Sequence, residues 1–145
     1  MGKKLANEYM VWIESAVAGT YSVIKGQQGC TINRQAGSVD LSTKDDGGYG
    51  SSAPGLRSWS IDLNILPNLP DANGYTRLES LSNASPITPF NVQIRKGGLN
   101  ATPADVVFAG STYGNLDSTG MDQNAGVGVK TTLSGNGAPT TDALA

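Results

Sequence analysis

The chain of 145 residues contains no histidine. That one absence removes the Ser-His-Asp triad, His-ligated zinc, and the only side chain whose ordinary pKa lies near neutrality. A single cysteine, Cys30, excludes an intrachain disulfide. Between Gly29 and Thr31-Ile32 it reads as a packing thiol at the start of a strand, with no histidine to activate it. No apolar run approaches the roughly 20 residues that cross a bilayer. Leu5 to Glu8, after Lys3-Lys4, lack the apolar core of a signal peptide. Charged residues make up 15%, against about 25% in an average domain. With 10 basic and 12 acidic side chains the net charge is −2, which gives no strong pull toward nucleic acid or anionic lipid. The acids are scattered. Asp45-Asp46 is the one adjacent pair, and it lies in a glycine-rich stretch with no scaffold for acid–base work. These absences argue against an enzyme and against a resident metal or cofactor.

What is abundant is glycine, 19 residues, nearly twice the average usage of roughly 7%. That suits many strands and turns better than a helical bundle. By length the chain is one domain, residues 1–145, large enough for its own core. Tyr9 to Glu14 (YMVWIE) reads as a strand covered on both faces. Tyr21 to Lys25 is a second short strand. Cys30 to Gln35 alternates, breaks at Ala36-Gly37 with a bulge or kink, and resumes over Ser38 to Leu41. An excursion follows over residues 43–57, rich in glycine and charge and unable to bury a core.

Ser58 to Ile65 (SWSIDLNI) is the clearest element. Trp59, Ile61, Leu63 and Ile65 share one side, and Ser58, Ser60, Asp62 and Asn64 share the other. Such alternation marks a strand with one buried and one hydrated face. Pro67 and Pro70 end it. Asp71 or Asn73 offers an N-cap to a helix over 72–82, whose Tyr75, Leu78 and Leu81 form one apolar stripe. Phe90 to Lys96, Asp105 to Ala109 and Ala125 to Leu133 read as strands. Residues 110–122 read as irregular, and the small polar tail from Ser134 as mobile without a partner. The expected fold is mainly β: a sandwich or partial barrel of about seven strands, one short flanking helix, and a long loop between two strands.

Several short motifs invite functional readings and fail on context. Gly48-Tyr49-Gly50-Ser51-Ser52-Ala53 fits a permissive dinucleotide pattern, but no buried strand precedes it and Pro54-Gly55 follow where a helix should open. Lys130-Thr131-Thr132 follow Val129, where a phosphate loop requires glycine. Asp117, Gly120 and Asp122 lack the ligand register of a calcium loop. The sequons at Asn83 and Asn100 are each followed by proline, without a secretion signal. Tyr49 is the one aromatic in a small-residue stretch: either a surface tyrosine or an anchor that docks on a neighbouring chain.

A loop of about 15 residues is uncommon within a compact domain and is usually functional or disordered. This one gains order most simply against another copy of the chain. From YMVWIE, through CTINRQAGSVDLSTKDDGGYGSSAPGLRSWSIDLNI, to GVGVKTTLSGNGAP, the chain resembles the tail tube proteins of long-tailed bacteriophages and gene transfer agents, related in design to type VI secretion tubes. The resemblance implies hexameric rings stacked into a tube for DNA, formed in the host cytoplasm and carried in the virion. It implies partners beyond the chain itself: a tape-measure protein, a tail terminator, and tail-tip or baseplate proteins. In this reading the 43–57 loop, with Lys44, Asp45, Asp46, Tyr49 and Arg57, reaches a neighbouring subunit. Ser60, Asp62 and Asn64 line the lumen, where the absence of Lys and Arg on that strand face would let DNA slide without specific binding. Two other classes stay open: a different virion β-protein (head–tail connector, decoration or tail-tip component), or a small soluble binding module or enzyme.

Overall fold

The computed structural model describes residues 8–123 and 125–143. In chain order they form β1 (Met10–Glu14), β2 (Tyr21–Val23), β3 (Gln27–Asp40), β4 (Ser52–Ile65), α1 (Tyr75–Ser82), β5 (Phe90–Arg95), β6 (Val106–Gly120), β7 (Gly128–Gly135) and β8 (Thr141–Asp142). The eight strands make one antiparallel sheet in the order β2-β1-β5-β6-β7-β4-β3, with β8 added to β6, and the sheet does not close into a barrel. The mainly β expectation with one helix holds.

The long β6 makes this sheet two-layered. Its first half pairs with β5, from Arg95↔Val106 to Phe90↔Thr112. Its second half pairs with β7, from Thr112↔Gly135 to Gly120↔Gly128. Val11, Ile13, Val92 and Ile94 from one wing share a single core with Ile61, Leu63, Ile65, Val129 and Leu133 from the other. Tyr75 and Leu78 of α1 join that core. Each such side chain fully buried contributes about 1.5–3 kcal/mol relative to exposure.

The two wings also meet along a seam between β1 and β3. Val11 N–H donates to Gln27 Oε1 at 2.8 Å, and Gln27 Nε2 donates to the carbonyls of Val11 at 2.7 Å and Ile24 at 2.8 Å. A side-chain amide carries the same donor and acceptor as a peptide group, so Gln27 substitutes for a missing strand neighbour. Beside it Gly26 turns the chain at φ 85°, where a Cβ would collide with the Leu66 backbone.

The helix is shorter than expected, 75–82 rather than 72–82. The buried Asp71 carboxylate accepts from Tyr75 N–H and Lys25 N–H, both at 3.0 Å, so it ties the helix start to the β2–β3 turn. The break expected at Ala36-Gly37 is a register shift inside one continuous strand, β3, between Ala36 and Ser38.

Two expectations are overturned. Residues 110–120 are not irregular but the second half of β6. Their glycines disguise the strand because they serve close packing: a Cβ on Gly110 would lie 2.6 Å from Trp59, and one on Gly114 3.0 Å from Phe90. The excursion is also shorter than 43–57, since β4 begins at Ser52 and Arg57 pairs with Ala36, Pro54 with Ser38 and Ala53 with Val39. A ladder of backbone bonds needs no apolar side chains, and Pro54 is tolerated where β4 has no neighbour on its other side. The true connection covers residues 41–51. It is closed by Leu41 N–H to the Ser51 carbonyl at 2.8 Å, and the Ser42 hydroxyl also bridges to Ser51.

The described part of the C-terminal tail is tied down rather than loose. Asn136, Thr140 and Ala143 N–H groups donate to carbonyls of Ser111, Ala109 and Val107. Trp59 Nε1 donates to the Gly137 carbonyl at 2.8 Å, and Arg34 pairs with Asp142. β7 itself begins at Gly128, not Ala125, and runs on to Gly135.

Candidate assembly surfaces

β6, β7, β4 and β3 present one continuous polar face. On β4, Trp59, Ile61, Leu63 and Ile65 are buried, while Asp62 and Asn64 are exposed and Ser60 is half-buried, as the alternation predicts. Register places Thr31 beside Asp62, Asp62 beside Thr132, and Thr132 beside Asn115, so a polar row crosses all four strands. Asn33 Nδ2 donates to Asp62 Oδ2 at 2.7 Å. The Thr132 hydroxyl lies 3.3 Å from Asp62 Oδ1 and 2.5 Å from Asp117 Oδ2, and Asn115 Nδ2 donates to Asp117 Oδ1 at 2.6 Å. Thr132 has one hydroxyl proton, so it serves one carboxylate at a time and the two acids stay mutually repulsive.

Asp117 reaches this face through a bulge between Leu116 and Ser118. Lys130 lies on the same face, opposite Asn64. The cation-free strand face read from Ser60, Asp62 and Asn64 is therefore part of a larger face with two acids and one lysine among its described residues. Lys130 and Thr132 alternate with buried Val129, Thr131 and Leu133 on β7. Asp117 follows Asn115 at the alternating spacing of Tyr113 and Asn115, a signal masked by the glycines that made residues 110–122 read as irregular.

Among the described residues this four-stranded unit has a free edge on each side. β3 pairs only with β4 along its whole length. The second half of β6, residues 113–120, pairs among the described residues only with β7, because its pairing with β5 ends at Phe90↔Thr112. Unpaired edges of this length are templates for another chain.

Beyond the core the β3–β4 ribbon projects, exposed over most of 35–40 and 52–58, and ends in the 41–51 connection. Lys44 to Asp46 form a 3₁₀ turn, and Gly47 and Gly48 follow with φ of 65° and 89°. Lys44 and Asp45 are exposed, and Tyr49 is 83% exposed. Val39, Leu41 and Leu56 are exposed as well. Lys44, Asp45, Asp46 and Tyr49 thus share the tip. Arg57 does not join them. It sits on the strand beside Trp59, Pro139 and Asp142.

Trp59 organises that flank. It stacks edge-to-face on Phe108, with ring centroids 4.9 Å apart, over the side-chain-free backbone of Gly110 and Gly135. Arg34 lies 5.8 Å from the Phe108 ring centroid and donates to both Asp142 oxygens at 2.5 and 2.9 Å. The Arg34 hydrogen bonds hold the Asp142 carboxyl below its ordinary range. The two residues stand 108 positions apart, so no local pattern reveals the pair.

On the other wing Arg95 is 5% exposed and stacks on Trp12, 4.5 Å from its centroid, and on Tyr21 at 5.6 Å. Cys30 packs against the core, and burial pushes its thiol up, away from reactivity. Among the described residues no group of three His, Cys, Asp or Glu is placed to hold a metal, and no helix is long and apolar enough to cross a membrane.

The fold occurs in solved tails. The tail of an empty gene transfer agent particle, determined with C6 symmetry, aligns at TM-score 0.73 and 16% identity over 97% of this chain and 100% of that one. A native gene transfer agent virion contains a chain that aligns at TM-score 0.69, also at 16% identity, with the same coverage. The SPP1 tail tube protein aligns at TM-score 0.64 and 13% identity over 97% of this chain and 80% of that one. No curated protein sequence matches the chain. The sequence profile described as phage tail tube protein matches residues 7–141. The chain belongs to the phage tail tube protein family.

Proposed function

We propose that copies of this chain close side by side into hexameric rings, and that the rings stack into a virion tail tube whose lumen is the polar face of β6-β7-β4-β3. One observation carries the reading: a polar-faced, four-stranded sheet with a free edge at either side. Because the unit has an even number of antiparallel strands, β3 of one copy meets β6 of the next in antiparallel sense at every seam. Such a head-to-tail contact closes a ring when the rotation between copies divides the circle. Six units at about 4.8 Å per strand give a barrel roughly 37 Å across between backbones, and strand tilt widens it. A DNA duplex fits through that opening.

Ser60, Asp62 and Asn64 then face the DNA path, with Asp62 and Asp117 repelling phosphates. The protein's part is structural rather than catalytic: a conduit must not hold what it conducts, and each cation–phosphate contact would add friction. The tip residues Lys44, Asp45, Asp46 and Tyr49 reach a neighbouring subunit, while Arg57 borders the tail-docking flank. The tape-measure protein in the lumen, and terminator and tip proteins at the two ends, are the further partners of such a tube, which assembles in the host cytoplasm.

Negative-stain microscopy of the purified protein tests this. Filaments or rings with an axial hole are expected. A chain that stays monomeric at high concentration overturns the reading, as does a tube with Trp59 and Ile61 toward the lumen.

A further inference from the structure

The sequence holds two Asn-Gly pairs, Asn73-Gly74 and Asn136-Gly137, and the fold treats them oppositely. In such a pair the glycine nitrogen can attack the asparagine side-chain carbonyl, since glycine has no Cβ to hinder the approach. The attack needs a glycine N–H that is not engaged, room around the glycine, and a side-chain amide free to turn. Asn73-Gly74 fails on the first two. Gly74 N–H donates to the Asp71 carbonyl at 3.2 Å, and the Gly74 carbonyl accepts from Leu78 N–H at 3.0 Å at the start of α1. The Asp71 carboxylate packs against Gly74 so closely that a Cβ there would collide with it, and its charge opposes loss of the amide proton. Asn136-Gly137 meets all three conditions. Gly137 N–H donates to no described group. Gly137 has φ of 83°, and a Cβ built on it would meet nothing within 4 Å. The Asn136 side chain is exposed and makes no hydrogen bond to a described residue.

We propose that Asn136 is a site of spontaneous modification, converting to aspartate or isoaspartate without an enzyme, and that isoaspartate there undocks the C-terminal tail. Gly137 N loses its proton to solvent base and attacks Asn136 Cγ. The N–Cγ bond forms, the Cγ–Nδ2 bond breaks, and ammonia leaves with a proton from water. The cyclic imide then takes up one water. Opening at Cγ gives aspartate, and opening at the main-chain carbonyl carbon gives isoaspartate. The position makes the second product consequential. Asn136 N–H is held by the Ser111 carbonyl and Thr140 N–H by the Ala109 carbonyl, both at 2.8 Å, and between them the Gly137 carbonyl accepts from Trp59 Nε1 at 2.8 Å. In isoaspartate the main chain runs through Cβ and Cγ, which adds one atom between two anchors fixed on β6. The added length bows outward and takes the Gly137 carbonyl from Trp59. Pro139 and Asp142, which line the Trp59 flank with Arg34 and Arg57, then lose their purchase. This inference stands apart from the tube reading and does not depend on it.

Ageing the purified full chain in warm, mildly alkaline buffer tests it, with peptide mapping by mass spectrometry and the chain unfolded in denaturant as reference. Both asparagines are expected to convert at similar rates when unfolded. In the folded protein Asn136 is expected to convert on the order of tenfold faster than Asn73, whose glycine has first to break its hydrogen bond. The isoaspartate form, separated from the rest, should be cut by protease beyond residue 136 several-fold faster than fresh protein. Asn136→Gln, whose longer side chain closes the ring poorly, should keep the resistance of fresh protein through the same incubation. Asn136 staying intact in the folded protein while the unfolded chain converts overturns the site, as does Asn73 keeping pace with it. Isoaspartate at 136 with unchanged protease resistance overturns the undocking, and so does an Asn136→Gln protein that loses resistance as fast as the wild type.

Discussion

The β3–β4 ribbon contains two halves of opposite character. From Ser58 to Ile65 every second side chain is buried in the core. From Ser52 to Arg57 no side chain is buried, yet the same ladder continues. The first half is held by its own domain. The second has only exposed backbone hydrogen bonds, each contributing about 0.5–1.5 kcal/mol net. One strand can thus belong to a folded domain at one end and to an assembly at the other.

That contrast can be broken from the assembly side first. Deleting residues 45–50 is expected to abolish tube formation in microscopy while the thermal unfolding midpoint stays within a few degrees of wild type. A deletion variant that still polymerises removes the tip from the mechanism. On the core side, Trp59→Ala is expected to cost about 3–5 kcal/mol, read by denaturant unfolding. It removes the Phe108 contact and the bond to Gly137 together, so the tail from Asn136 should become accessible to protease. Leu56→Ala, two strand positions beyond that core, should change monomer stability by no more than about 0.5 kcal/mol. A larger loss would mean the exposed ribbon packs against its own domain.

A smaller effect follows from pH. The Asp142 pKa is lowered by Arg34, so the pair's contribution is fully present above the unfolded carboxyl value, near 4. It is lost as pH falls through the lower folded value. Both partners are largely exposed, so the loss is about 0–1 kcal/mol. Asp142→Asn should abolish this step in the acid limb of stability, and an unchanged acid limb would show that the pair contributes nothing.

Much of the core half was legible in sequence, because Trp59, Ile61, Leu63 and Ile65 write a period of two. Phe90, Val92 and Ile94 do the same. The rest of the fold was hidden for three physical reasons. Backbone pairing leaves no mark on composition, so Ser52 to Arg57 read as loop. Glycines that make room for a large neighbour look like turn residues, so Gly110 and Gly114 broke the pattern of β6. Contacts between distant positions, such as Arg34 with Asp142 or Trp59 with Gly137, leave no local period. Of the polar face, Ser60, Asp62 and Asn64 were readable from alternation, whereas Asn115 and Asp117 were hidden with the rest of β6's second half.

The Gln27 amide joins the two wings of a single copy. In a closed ring each copy is a wedge, and an error in one wedge is multiplied by the number of copies before the last meets the first. A clasp made of one side chain is thus tested as a gauge for circumference by removing it. Gln27→Ala should leave a folded subunit, but its tubes should vary in diameter from one particle to the next where the wild type's do not. Uniform tubes would assign that gauge to the subunit seams instead.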